Sequence, residues 1–132
     1  MVVPNFIKAA LANKPIPIFG DGKQSRCFTY VGDVVDGLAL IMNNNKTIGQ
    51  VFNIGNPREI TIQDLAVKIK KMTNSRSKLK YISYSKAYGE GFEDMMRRIP
   101  DISKIKKCVG YTPKVSLDQM LEITIDWIRN NE

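Results

Sequence analysis

Two stretches gather the side chains able to bind or react. The first is FGDGKQSR, Phe19 to Arg26. Glycines at 20 and 22 allow a tight turn and let backbone approach a ligand closely, and Lys23, Gln24 and Arg26 place donors around that turn. The second is YGEGFEDMMRRIPDI, Tyr88 to Ile102. Gly89 and Gly91 permit a bent backbone, Phe92 offers a ring for stacking, and Arg97 and Arg98 stand side by side before Pro100. An arginine grips a phosphate through two parallel N–H bonds, each worth about 1.5–3 kcal/mol when charged. Two arginines therefore suit a diphosphate. Each stretch also has a plainer reading. The first fits a solvent-exposed turn before a strand. In the second, Arg97 and Arg98 can pair at the surface with Glu93, Asp94 or Asp101, where a bridge is worth about 0–1 kcal/mol. Residue pattern alone leaves both open.

The chemistry that is excluded is clearer. The 132 residues contain no histidine, which removes every triad or zinc site that needs imidazole. A GxGxxG fingerprint built on Gly20 and Gly22 would need glycine at position 25, where Ser25 stands, and there is no phosphate-binding GxxxxGK[ST] run. None of Tyr30, Tyr81, Tyr84, Tyr88 or Tyr111 has a lysine four residues later. Asp33 and Asp36 form an acidic pair that capping and solvation explain better than acid–base work. A basic run from Lys68 to Lys80 has no interleaved aromatic, so it reads as a wet helix face more than a nucleic-acid stripe.

The formal net charge of +7 favours anionic partners without choosing among nucleic acid, membrane and phosphorylated ligand. At 43% hydrophobic and 25% charged, the chain can bury a core, and its length fits one domain, residues 1–132. No apolar run approaches a membrane span, and the start lacks a signal peptide's features. Cys27 and Cys108 lie far apart with no CxxC, which fits a reducing cytoplasm.

The elements that must position these residues follow from periodicity. Val3 to Asn13 reads as a helix with Val3, Phe6, Ile7, Ala10 and Leu11 on one face. KPIPIFGDG is a short edge strand closed by a glycine turn, and RCFTYV is a second β-like run. Asp33 is expected to cap a helix burying Val34, Val35, Leu38, Ile41 and Met42, which Asn43 to Asn45 stop. QVFNIGN is expected to be a short buried strand. Thr61 with Asp64 opens a helix carrying Ile62, Leu65, Ala66, Ile69 and Met72. SKLKYISYS alternates as a strand, a short helix runs near Asp101 to Lys107, and Ser116 with Gln119 opens the last helix, which carries Leu117, Met120, Leu121, Ile125, Ile128 and Trp127. The prediction is mixed α/β with short strands and no internal domain boundary.

In this order, VVPNFIKAAL, KPIPIFGDGKQSRCFTYVGDVVDGLALIM, VFNIGNPREITIQDLA and YGEGFEDMMRRIPDISKIKKCVGYTPKVSLDQML resemble the C-terminal part of the extended short-chain dehydrogenases that act on nucleotide sugars. GKQSRCFT and YGEGF with RRIPDI bring it closest to the UDP-glucuronate decarboxylases; UDP-glucose 4-epimerases and dTDP-glucose 4,6-dehydratases share the broader pattern. The resemblance implies the small lobe of an NAD-dependent epimerase, dehydratase or decarboxylase that oxidises the sugar transiently at C4. It implies that NAD and the Tyr-x-x-x-Lys pair belong to an N-terminal Rossmann domain that this chain lacks, so no cofactor is expected here. Met1 stands where relatives carry an arginine, as expected of a truncated chain or an internal start. The resemblance further implies that Pro17 to Arg26, including Phe19, Gly22, Lys23 and Gln24, wrap the uridine and diphosphate, with Arg26 on phosphate or ribose. Val2, Val3 and Asn5 would line the nucleotide side and Phe92 would contact ligand. Arg98 would bind the diphosphate and help as an acid in the parent, with Arg97 a weaker carry-over. The expected partners are a UDP-sugar or other nucleoside-diphosphate sugar, the Rossmann domain, and a second copy through exposed apolar surface. Membrane and nucleic acid are not expected. A stand-alone nucleotide-sugar binding module without catalysis is the alternative reading.

Overall fold

A computed structural model describes residues 1–88 and 94–131. Its elements are α1 (Val2–Leu11), β1 (Ile16–Phe19), β2 (Ser25–Cys27), α2 (Val31–Met42), a 3₁₀ turn (Asn45–Thr47), β3 (Glu59–Thr61), α3 (Ile62–Met72), β4 (Leu79–Ile82), α4 (Tyr84–Tyr88), α5 (Ser103–Val109) and α6 (Leu117–Asn131). This is the mixed α/β class that the periodicity predicts. The chain forms two compact units woven from separate stretches: residues 1–26, 60–97 and 121–132 in the first, 27–59 and 98–120 in the second. A linear reading for composition shifts has no signal for units interleaved in this way.

In the first unit, β1 and β4 pair in parallel, with Ile16 opposite Leu79 and Phe19 opposite Ile82. Ile16 and Ile18 are fully buried, as the two-residue period of a strand requires when one face meets the core. Helix α1 contacts both β1 and α3, and α3 contacts β1. The helices bury the stripes their spacing predicts: Val3, Phe6, Ile7 and Ala10 from α1, and Ile62, Leu65, Ala66 and Ile69 from α3. Leu121, Ile125 and Ile128 of α6 are buried too, while Trp127 is exposed. The start of α3 is fixed by its capping box: Thr61 Oγ1 accepts the Asp64 N–H at 3.0 Å and donates to Asp64 Oδ2 at 2.6 Å. Lys70 and Lys71 in its last turn suit the negative end of the helix dipole. The run SKLKYISYS is a strand only over Leu79–Ile82, because Tyr84 to Tyr88 turn into the short helix α4.

Helix α2 differs from expectation in its cap and its face. It begins at Val31 after Tyr30, and no side chain caps it. Asp33 lies inside the first turn, faces inward at 4% exposure, and accepts the Lys114 and Val115 N–H groups, both at 3.1 Å. One turn further on, Gly37 lies against Tyr111, where a Cβ would stand 3.0 Å from two ring carbons. The inward stripe is thus an aspartate and a glycine. Of the apolar residues expected in the core, Val34 and Ile41 are half-buried, while Val35 at 56%, Leu38 at 48% and Met42 at 84% are exposed.

The expected strand at QVFNIGN is not formed. A strand needs a ladder partner, and among the described residues none pairs with this segment. Val51 is 84% exposed. The segment is held by side chains: Lys104 Nζ donates to the Val51 carbonyl at 2.9 Å, Tyr111 Oη donates to the Gly55 carbonyl at 3.3 Å, and the Asn56 N–H donates to Thr29 Oγ1 at 2.9 Å. RCFTYV is a strand only through Cys27, and β2 pairs with β3. Helix α5 begins two residues later than read, at Ser103, and Asp101 Oδ1 accepts the Ser103 N–H at 2.9 Å. The hydrogen bonds from Ser103 hold the Asp101 carboxyl below its ordinary range. Ser116 and Gln119 form the second capping box, with Gln119 Oε1 accepting both the Ser116 N–H and its hydroxyl at 2.9 Å. Cys27 and Cys108 are free thiols, and among the described residues no helix is long and apolar enough to cross a membrane.

Candidate functional site

The turn after β1 carries Gly20 at φ +72° and Gly22 at φ +77°, the left-handed region that glycine enters at no steric cost. Both glycines make room for the chain itself. A Cβ on Gly20 would lie 2.5 Å from Tyr84 Cε2, and one on Gly22 would lie 3.1 Å from Gln63 Cβ and Ile18 Cγ2. On the Cβ side of both glycines the neighbour is therefore the chain's own side chains. The turn is clipped to the start of α3 instead. The Gly22 carbonyl accepts the Gln63 N–H and the Gln24 carbonyl accepts the Ile62 N–H, both at 3.0 Å. These bonds satisfy two of the amides that a helix start leaves without partners.

From this turn a chain of hydrogen bonds leads to Arg26. Gln24, 4% exposed, donates from Nε2 to the Phe19 carbonyl at 2.8 Å and to Tyr84 Oη at 2.9 Å. Tyr84 Oη donates to Asp94 Oδ2 at 3.2 Å. Asp94 Oδ1 receives Arg26 Nη2 at 2.5 Å. Arg26 Nη1 donates to the carbonyls of Ser25 and Met95, each at 2.7 Å, and the Ser25 N–H donates to the Met96 carbonyl at 2.8 Å. The Arg26 and Asp94 side chains are only 15% and 31% exposed. Burial, then the Asp94 charge and hydrogen bond, push the Tyr84 phenol above its ordinary value, and the Arg26 charge opposes them.

The structure links Phe19, Gln24 and Arg26 through one chain of hydrogen bonds. The two residues that join them, Tyr84 and Asp94, were not singled out as site residues. Asp94 had a sequence signal, as an acid near the arginine pair, but Arg26 takes it instead of Arg97 or Arg98. Lys23 points to solvent, with its N–H on Asp21 Oδ1 at 2.9 Å and its ammonium 4.0 Å from Asp21 Oδ2. Asn5 and Pro17 line one open cavity of about 850 Å³ together with Lys8, Lys14 and Arg129. Val3 is buried in the core. Arg97 and Arg98 are both exposed, and Arg98 falls in the second unit. Phe92 lies outside the described residues.

The arrangement is a hydrogen-bonded frame of fixed geometry in which Gln24, Tyr84 and Asp94 satisfy one another and hold Arg26, whose guanidinium is the group with donors to spare for an acceptor-rich ligand. Among the described residues no group of acids and cysteines could hold a metal. A dinucleotide cofactor does not fit the glycine turn either. The turn leads into β2, not a helix, and the Tyr84 ring fills the space beside Gly20, whereas a dinucleotide fingerprint opens a helix whose N-terminus meets the pyrophosphate.

Known proteins with this fold and these motifs are NAD-dependent nucleotide-sugar epimerases, dehydratases and decarboxylases. The chain belongs to the family described as GDP-mannose 4,6 dehydratase, which matches residues 1–124. It is 42% identical over 131 residues to the UDP-N-acetyl-alpha-D-glucosaminuronate decarboxylase of Bacillus cytotoxicus, covering 99% of this chain and 40% of that protein. It is 40% identical over 126 residues to UDP-glucuronic acid decarboxylase 1 of Danio rerio, covering 96% and 28%. The crystal structure of UDP-glucuronic acid 4-epimerase from Bacillus cereus, in complex with UDP-glucuronic acid and NAD, superposes with a TM-score of 0.88 at 31% identity, over 100% of this chain and 40% of that one. The chain spans less than half the length of these relatives.

Proposed function

We propose that this chain is the nucleotide-sugar-binding part of an NAD-dependent enzyme acting on a UDP-sugar, with decarboxylation of a UDP-uronate as the favoured reaction. The observation that carries this reading is Arg26, held beside the turn after β1 by the hydrogen-bonded frame of Gln24, Tyr84 and Asp94. Near-complete matches to two UDP-uronate decarboxylases support the substrate class. In this reading Pro17, Phe19, Gly22, Lys23 and Gln24 border the nucleotide, with Asn5 and Pro17 on its open cavity. Arg26 faces ribose or phosphate, and Arg98 with Phe92 and Arg97 serves the diphosphate. NAD belongs to another part of the parent enzyme, and residues 1–132 act as one substrate-binding domain.

Calorimetric titration with UDP tests this. The expected result is saturable binding that falls about tenfold or more in Arg26→Ala and in Arg98→Ala, as loss of a charge-assisted contact predicts. Binding to random-sequence DNA with a steep salt slope, and none to UDP, would replace the reading with a nucleic-acid binder.

The outward stripe of α2 supports a second part of the proposal. Val31, Val35, Leu38 and Met42 recur at helical spacing on an exposed face. Apolar patches of this kind mark interfaces. We assign this face to the remainder of the parent enzyme, and in its absence to a second copy. Sedimentation should therefore show concentration-dependent association of this chain. Val35→Lys, Leu38→Glu and Met42→Lys together should shift it to monomer while changing unfolding stability by only about 0.5 kcal/mol per site, as surface substitutions do. A monomer before substitution would contradict the assignment to a second copy.

A further inference from the structure

We propose that Asp94 and Tyr84 are positioning residues that fix the aim of Arg26 toward the ligand. The proposal rests on the nucleotide reading of the site. An arginine on a three-residue strand beside a glycine turn has a long side chain with about 2 kcal/mol of rotamer entropy. Here it is held by three acceptors, the carbonyls of Ser25 and Met95 and the carboxylate of Asp94. Among the described residues these engage three of its five N–H groups, so two remain for a ligand acceptor.

Of the three acceptors only Asp94 carries charge, and a side chain 15% exposed needs that charge matched. Asp94 is itself oriented. Its second oxygen accepts the Tyr84 hydroxyl, and because that hydroxyl already accepts from Gln24 Nε2, its own proton points at Asp94. The other end of the relay is the Phe19 carbonyl at the tip of β1. Phe19 and Arg26, both expected to face the nucleotide, are thereby held in one hydrogen-bonded frame. The Tyr84 phenol, pushed above its ordinary value by burial and the Asp94 charge, keeps its proton for this bond through the neutral range. Pinning residues 94–96 to β2 does not by itself require the carboxylate, since the Ser25 N–H to Met96 carbonyl bond and the Arg26 bond to Met95 do that already.

The test is a UDP titration of the unaltered chain, Asp94→Asn, Asp94→Glu, Tyr84→Phe, Arg26→Ala and the Asp94→Asn/Arg26→Ala double variant, each with its thermal midpoint. Asp94→Asn is expected to weaken binding about tenfold and Tyr84→Phe about threefold, the usual scale for a charged and a neutral hydrogen bond. Asp94→Glu should recover part of the loss, and Asp94→Asn should add little to Arg26→Ala. If Asp94→Asn proves unfolded, Tyr84→Phe decides alone. UDP binding undiminished or tightened in the folded variants overturns the positioning role and leaves the nucleotide reading standing, as does a loss that adds in full to Arg26→Ala. An unaltered chain that takes up no UDP overturns both.

Discussion

An Asp33→Ala chain is expected to lose about 3–5 kcal/mol of stability, because it takes a carboxylate acceptor from two part-buried amides, each such bond being worth about 1.5–3 kcal/mol. Asp33 is the tie of the second unit: it is 4% exposed and accepts the N–H groups of Lys114 and Val115 at 3.1 Å. Those amides belong to the turn just before α6, and alanine offers them nothing. Asp33→Asn should fall between, since an amide presents one oxygen to two donors. Urea unfolding followed by circular dichroism checks this. A loss under about 1 kcal/mol, the scale of an N-cap, would show that Asp33 only decorates the start of α2.

Gly20→Ala is expected to have the second largest effect, and to be felt away from the turn. The left-handed backbone at φ +72° costs an alanine about 1–2 kcal/mol. The new methyl would also stand 2.5 Å from Tyr84 Cε2. The Tyr84 ring must then swing away, which breaks its bonds to Gln24 and Asp94. We expect a total cost of about 2–4 kcal/mol, together with a weakened hold on Arg26. Binding and stability should therefore fall together in this variant, whereas Tyr84→Phe should lower binding with little loss of stability. An unchanged thermal midpoint in Gly20→Ala would contradict the packing account of that glycine.

The sequence made some parts of this molecule legible and hid others for physical reasons. Helices α1, α3 and α6 could be read because their stripes and the Thr61–Asp64 and Ser116–Gln119 boxes are local signals. On α2 apolar spacing alone does not tell the core face, since Val35, Leu38 and Met42 are exposed and Val34 and Ile41 only half-buried. The inward positions are an aspartate that binds backbone and a glycine that admits Tyr111. The segment from Gln50 to Asn56 has strand composition, but composition cannot supply a ladder partner. The parallel pairing of Ile16 with Leu79 joins strands more than sixty residues apart, a contact with no local signature.

At the site, Phe19, Gln24 and Arg26 were visible as one short motif. Tyr84 and Asp94 were not, because they meet it across separations of 60 and 68 residues. The glycines were legible as a turn, but the reason for them was not, since the ring that demands Gly20 comes from α4.

The central claim is that this chain holds the nucleotide sugar while the redox cofactor is held elsewhere. Parallel calorimetric titrations of the purified chain with UDP-glucuronic acid and with NAD test it most directly. The account predicts a saturable, single-site heat with UDP-glucuronic acid and none with NAD. Saturable NAD binding, or no binding of UDP-glucuronic acid, would contradict it.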